Sequence, residues 1–212
     1  MAKKESTFLN MVVTLFLVTG IAGLALAAVK IATEDAVKAA EKAKLEEALN
    51  TVLPDDIDYE IDDSVFTIND TDKDKLIFYY AKQEDSLIAI AVESYTKNGF
   101  SGKFRIMVGF RPDSTIINTS VLEHAETPGL GDKMDASKSD WPYQFIGKKP
   151  DYNEKSNKFN LSMRKDNPDS KIDAITAATI TSRAFSDAVE RAFKALPTAL
   201  NTYKERLKKE DK

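Results

Sequence analysis

The chain has 212 residues, 42% hydrophobic and 30% charged, a mixture that suits one globular domain with a small appendage and not a disordered segment. It holds no cysteine and a single histidine, His124, which excludes disulfides, zinc ribbons, thiolate-held iron–sulfur clusters, cysteine nucleophiles and multi-histidine metal sites. Its eight glycines form neither G-x-G-x-x-G nor G-x-x-x-x-G-K-[ST], so no dinucleotide or triphosphate fingerprint is present.

The chain opens on an apolar segment. Between Glu5 and Lys30 lie 24 residues without a charge, STFLNMVVTLFLVTGIAGLALAAV. As a helix rising about 1.5 Å per residue they reach about 36 Å, enough to cross a hydrocarbon core of about 30 Å. Lys3 and Lys4 precede the segment, and the positive-inside tendency then puts the N-terminus in the cytoplasm and all that follows outside. A cleaved signal peptide is the rival reading, with Ala25-Leu26-Ala27 as its A-x-A site. The length of the apolar run favours a retained anchor. Lys3, Lys4 and Lys30 against Glu5 give residues 1–32 a net charge of +2, so the total of −4 leaves −6 on the remainder. An acidic body without a basic stripe excludes nucleic acid as a partner.

Thr33 to Asn50 reads as a helix leaving the membrane, capped by Thr33, with Glu34 and Asp35 at its positive end and Val37, Ala40 and Leu45 on one side. Leu53-Pro54 marks its end. Leu76–Tyr80, Leu87–Val92, Lys103–Phe110 and Thr115–Leu122 are rich in β-branched and aromatic residues, with charged or glycine-containing turns between them. They predict antiparallel neighbours. The alternation through Lys103–Val108 fits a half-buried strand, and Asn157–Met163 is a further strand candidate. Residues 124–156 have little periodicity and contain Pro128, Gly129, Gly131 and Pro142, the pattern of a long ordered loop. Phe185, Ala188, Val189, Ala192, Phe193 and Leu196 recur at helical spacing, and Pro197 is expected to kink or break the helix they define. The sum is an α+β domain. We divide the chain into an N-terminal segment and anchor (1–32), a helical stalk (33–55) and a folded domain (56–212).

Two segments bear chemistry. In Asp173-Ala-Ile-Thr176-Ala177-Ala178-Thr179-Ile-Thr181-Ser182-Arg183 a loop rich in hydroxyls and small side chains turns into the last helix. Free amides at a helix start make a phosphate-sized cradle, although Thr181 or Ser182 serving only as the N-cap explains the same residues. In His124-Ala-Glu126-Thr127-Pro128-Gly129-Leu130-Gly131 a fixed proline and two glycines let backbone approach a flat ligand. An ordinary Pro-Gly turn with a solvated acid accounts for it equally. His124 by itself reads as a structural histidine. Trp141 is suited either to stack on a ligand or to anchor a loop in the core.

Taken together, D-x-x-[ST]-[GA]-A-T before a helix, the E-T-P-G-L-G loop, Gly99-Phe-Ser-Gly102 before a strand, Trp141-Pro-Tyr-Gln-Phe145 and the N-terminal anchor resemble the FMN-binding domain family. Within it the likeness is to the G subunits of Rnf ion-translocating electron transport complexes, with the C subunits of the sodium-pumping NADH:quinone reductase as near relatives. The resemblance implies an antiparallel-sheet FMN-binding domain with flanking helices behind a transmembrane helix, in the cytoplasmic membrane of a bacterium. It implies FMN joined by a flavin transferase, through its phosphate, to the hydroxyl of Thr179. Asp173, Thr176, Ala177 and Ala178 complete that motif, and Glu126, Thr127, Pro128, Gly129, Leu130 and Gly131 would lie against the ring. The implied partners are the other subunits of the complex, in which the chain is a redox subunit and not catalytic alone. The family pattern has glycine where this chain has Ala177, and alanine suits that position if its backbone is helical or extended. Without the resemblance, the layout also fits a non-redox, anchored binding or scaffold domain outside the cytoplasm.

Overall fold

The computed structural model describes residues 7–55, 57–62, 66–69, 74–84, 86–153 and 158–210; Lys3 and Lys4, which set the expected orientation, lie outside them. The chain separates into two compact units, Met1–Lys44 and Leu45–Lys212.

One helix, α1 (Phe8–Val52), occupies the described part of the first unit and ends inside the second. By length and composition it can cross a membrane. Up to Lys44 its large apolar side chains are exposed, Phe16 at 77% and Leu24 at 74%, a surface that calls for lipid or protein cover. The hydroxyls along it are satisfied within the helix, Thr14 donating to Asn10 O at 2.7 Å and Thr19 to Leu15 O at 2.8 Å, as an apolar medium requires. Thr33 does the same with Val29 O at 2.9 Å. It therefore caps nothing: the helix expected to begin there is continuous with the apolar segment, because neither glycine nor proline interrupts the chain between Leu24 and Val52. The expected end holds, with α1 stopping immediately before Leu53-Pro54.

The second unit is built on an antiparallel sheet of β1 (Glu60–Ile61), β2 (Phe66–Asn69), β3 (Lys75–Gln83), β4 (Ser86–Gly99), β5 (Gly102–Phe110) and β6 (Ile116–Glu123). Its order is β1-β3-β4-β5-β6, and β2 pairs with β3 as β1 does. Register puts Phe78 opposite Val92, Val92 opposite Val108 and Val108 opposite Thr119, so a buried row, apolar up to Thr119, crosses the sheet. That inner face is covered by α2 (Thr179–Glu210), whose Phe185, Ala188, Val189, Ala192 and Leu196 are buried at helical spacing. Helix and sheet are also tied by Ser94 Oγ, which donates to Ala188 O at 2.7 Å.

The outer face is covered by the last turns of α1 and the residue after it: Ala48, Leu49, Val52 and Leu53 pack on Tyr79, Ala81, Ala89, Ala91 and Met107. The facing alanines keep this surface flat, and Gly109 lets the helix touch the sheet, since a Cβ there would lie 1.9 Å from Val52 O. Met107 is consequently buried, so β5 is covered on both faces over its second half and is not the half-buried strand that its alternation predicts.

Between β6 and α2 the chain runs through 3-10 turns at Gly131–Met134 and Trp141–Phe145 and a ribbon of β7 (Tyr152–Asn153) and β8 (Lys158–Phe159). The strand expected over Asn157–Met163 is short, with Asn157 outside the described residues and Met163 in a single bridge to Ile172. Pro197 does not end α2. It withdraws one amide from the ladder, but the helix beyond it is held by Tyr80, whose hydroxyl donates to Ala199 O at 3.0 Å and whose ring stacks on Tyr203 at 4.6 Å. Two helices on opposite faces of an antiparallel sheet make the unit α+β, as expected.

Candidate functional site

Three stretches meet at one edge of the domain: the tip of the β4–β5 hairpin, the loop after β6, and the start of α2. Gly99 pairs with Gly102 across the tip, leaving Phe100 and Ser101 as a two-residue turn, and Gly102 has φ +104°, open to glycine without strain. In the loop, Leu130 N donates to Thr127 O at 3.2 Å, closing a turn over Pro128 and Gly129 with Gly129 at φ +78°. Proline first and a positive-φ glycine second is the type II pattern.

The segment before α2 repeats that geometry. Ala178 N donates to Ile175 O at 3.0 Å over Thr176 and Ala177, and Ala177 has φ +64°. The alanine is thus neither helical nor extended. It occupies the left-handed position of a turn that favours glycine, which costs about 1–2 kcal/mol. Neighbouring contacts hold it there. Ser182 Oγ accepts from Ile175 N at 2.9 Å and donates to Ala178 O at 3.0 Å. Asp173 O accepts from Trp141 Nε1 at 2.6 Å, and Asp173 N donates to Gln144 Oε1 at 2.9 Å.

Helix α2 begins at Thr179, earlier than a cap at Thr181 or Ser182 would place it. Its backbone ladder opens with Ser182 N to Ala178 O, so the amides of Thr179, Ile180 and Thr181 precede it at the positive end of the dipole. One turn on, Arg183 grips Asp166 with two bonds of 2.6 Å, which holds the Asp166 carboxyl below the usual carboxylate range and raises the guanidinium.

These stretches enclose a cavity of about 310 Å³. The hairpin contributes Phe100, the loop Glu126, Thr127, Leu130 and Gly131, and the helix start Ala177, Ala178, Thr179, Ile180 and Thr181. Glu126 is 4% exposed, with Oε1 accepting from Ser101 N at 2.9 Å and Oε2 from Thr181 Oγ1 at 2.5 Å. It is not a solvated loop acid.

Seven residues expected from sequence at a site therefore share one cavity. Pro128, Gly129 and Thr176 stand outside its lining and shape the two turns, while Asp173 points its carboxylate to Arg164 at 3.2 Å. Phe100, Ile180 and Thr181 line the cavity without being marked as ligand-facing by the motifs. The paired glycines around Phe100 and the position of Ile180 and Thr181 in the first turn of the helix are the signals for them. His124 accepts the Glu126 amide on Nδ1 at 3.1 Å, a structural role. Trp141 lies edge-on to Phe145 and Phe185, with centroids 5.6 and 5.2 Å away, and anchors the loop instead of lining the cavity.

Comparison with known proteins gives this stretch of the chain a class. The family of FMN-binding domains matches residues 99–194, a span that starts at the hairpin tip and closes within α2, so it takes in every cavity-lining residue.

The relatives narrow the class. The chain is 38% identical over 164 residues to the G subunit of the ion-translocating oxidoreductase complex of Vibrio atlanticus, covering 76% of each. It is 35% identical to that of Shewanella piezotolerans, covering 74% of each, and 34% identical to that of Vibrio vulnificus, covering 82% of this chain and 81% of the relative. The chain belongs to the family formed by the G subunits of ion-translocating oxidoreductase complexes.

Proposed function

We propose that the chain is a membrane-anchored electron carrier, the G subunit of an Rnf-type ion-translocating ferredoxin:NAD oxidoreductase complex, with FMN esterified through its phosphate to Thr179 Oγ1. The observation that carries this reading is the place of Thr179: it is the first residue of α2 and lines the cavity, where a helix N-terminus meets an apolar hollow.

The residues present fit FMN. Phe100, Leu130 and Ile180 offer apolar surface to a flat ring, and Ala177 and Ala178 keep the helix start open to a bulky phosphate. A phosphate on Thr179 would meet the amides of the first turn and the positive dipole end, so it needs no lysine or arginine in the cavity. That reconciles an anionic cofactor with an acidic domain. Bound FMN supplies the electron-accepting and electron-donating ring; the protein fixes its position and surroundings. Pro128 and Gly129 set the turn that presents Thr127 and Leu130, and Thr176 and Ala177 set the turn that presents Thr179.

The segment 1–32 would hold the chain in the bacterial cytoplasmic membrane, with Lys3 and Lys4 inside and the folded domain outside, beside the other subunits of the complex. A flavin transferase would act on Thr179 during maturation. The same site would serve a C subunit of the sodium-pumping quinone reductase, but the relatives above bear the G name.

Intact mass of the membrane-extracted protein, co-expressed with a flavin transferase, tests the assignment. We expect one FMN increment in the wild type, its loss in Thr179→Ala and its retention in Thr179→Ser. An unmodified wild type, or an increment that survives in Thr179→Ala, overturns it.

A further inference from the structure

The geometry points to Glu126 as a positioning residue that locks the hairpin tip to the first turn of α2 and sets a fixed negative charge in the cofactor cavity, making the cofactor harder to reduce. This rests on the flavin reading above.

The carboxyl group is built in from every side. Gly99 and Gly131 make room for it: a Cβ on Gly99 would fall 2.7 Å from Oε1, and one on Gly131 would fall 2.6 Å from Oε2. The Ser101 N–H can only donate, so Oε1 accepts, and the Thr181 hydroxyl 2.5 Å from Oε2 is free to donate to it, an arrangement that suits a carboxylate. The two donors belong to segments 80 residues apart in sequence, Ser101 at the tip and Thr181 in the helix. Glu126 thus bridges the wall bearing Phe100 and the wall bearing Thr179.

No lysine or arginine lines this cavity among the described residues. A buried carboxylate without a cation is costly, and an apolar side chain of similar size would fill the space more cheaply. Its two accepted hydrogen bonds stabilise it only in this arrangement, which is the mark of a group kept for position and field. A negative charge in the cavity wall opposes the arrival of further negative charge beside it, so it favours the oxidised ring.

Two variants of the full-length, flavinylated chain in detergent separate the two roles. Glu126→Gln keeps the shape and can still accept the Ser101 amide. We expect it to retain the flavin and to leave the amide exchange of Ser101 at the wild-type rate, while the midpoint potential rises. A tenfold gain in preference for the reduced ring corresponds to about 30 mV for a two-electron couple. Glu126→Ala removes both bonds, and hydrogen exchange should accelerate together at 99–102 and 179–182. An unchanged potential in Glu126→Gln overturns the electrostatic role, and unchanged exchange at both segments in Glu126→Ala overturns the locking role. The exchange comparison repeated in a Thr179→Ala background needs no flavin. Wild-type protein lacking FMN would therefore remove the flavin reading, and the electrostatic role with it, while the locking role is still decided.

Discussion

Ala177 is the residue at which sequence and backbone pull apart. At φ +64° its methyl crowds the neighbouring peptide, a strain of about 1–2 kcal/mol, whereas glycine would relieve it and give back about 0.5–1 kcal/mol in chain entropy. Ala177→Gly should therefore stabilise the protein by about 0.5–1 kcal/mol and raise the thermal midpoint by roughly 1–4 °C, as calorimetry will show. The motif was legible in the sequence, but the turn inside it was not, because Thr176-Ala177 carries none of the proline and glycine that announce the matching turn at Pro128-Gly129. Asp166 gives a second test at this scale. Arg183 lowers its pKa, so the pair stabilises the fold at pH above the ordinary carboxylate range and ceases to as pH falls through the lowered value. Asp166→Asn should flatten the dependence of the urea midpoint on pH in that acid window and leave the pH 7–8 portion parallel to wild type.

Among elements, the contact between α1 and β5 is the least forgiving. A methyl on Gly109 would sit 1.9 Å from Val52 O, and backbone meeting backbone has no rotamer to escape through. Gly109→Ala should cost about 3 kcal/mol, the upper end of overpacking penalties, measured as a lower urea midpoint. The strands from β3 to β6 were readable because their β-branched and aromatic runs coincide with the ladders. What escaped was which face each run covers: Met107 looks outward in the alternation and is buried because a helix from far earlier in the chain lies over it. The same long-range packing explains Pro197, whose local signal is to break a helix but whose surroundings, Tyr80 above all, hold the following turn in place.

For the whole molecule, the boundary of the folded unit matters more than the end of the apolar segment. We propose that residues 56–212 need part of the preceding helix to form a complete domain, because Ala48, Leu49, Val52 and Leu53 bury one face of the sheet. A chain that starts at Leu45 should leave detergent as a cooperatively unfolding monomer. One that starts at Asp56 bares Ala81, Ala91 and Met107 and should lose on the order of 5 kcal/mol, read by thermal unfolding and size-exclusion chromatography. Acidic charge over the body was evident from counting, and so was the anchor. Closure of a cavity by segments near residues 100, 126 and 179 was not, because no local pattern records which turns a sheet brings side by side. Trp141, the sole tryptophan, has its indole against Phe145 and Phe185 and its N–H on the carbonyl of Asp173, at the root of the segment that leads to Thr179. Ultraviolet emission excited at wavelengths too long for tyrosine therefore comes from one known spot, and quenching or a colour shift of that light gauges, without any added dye, how the chain between Asp173 and Thr179 is set.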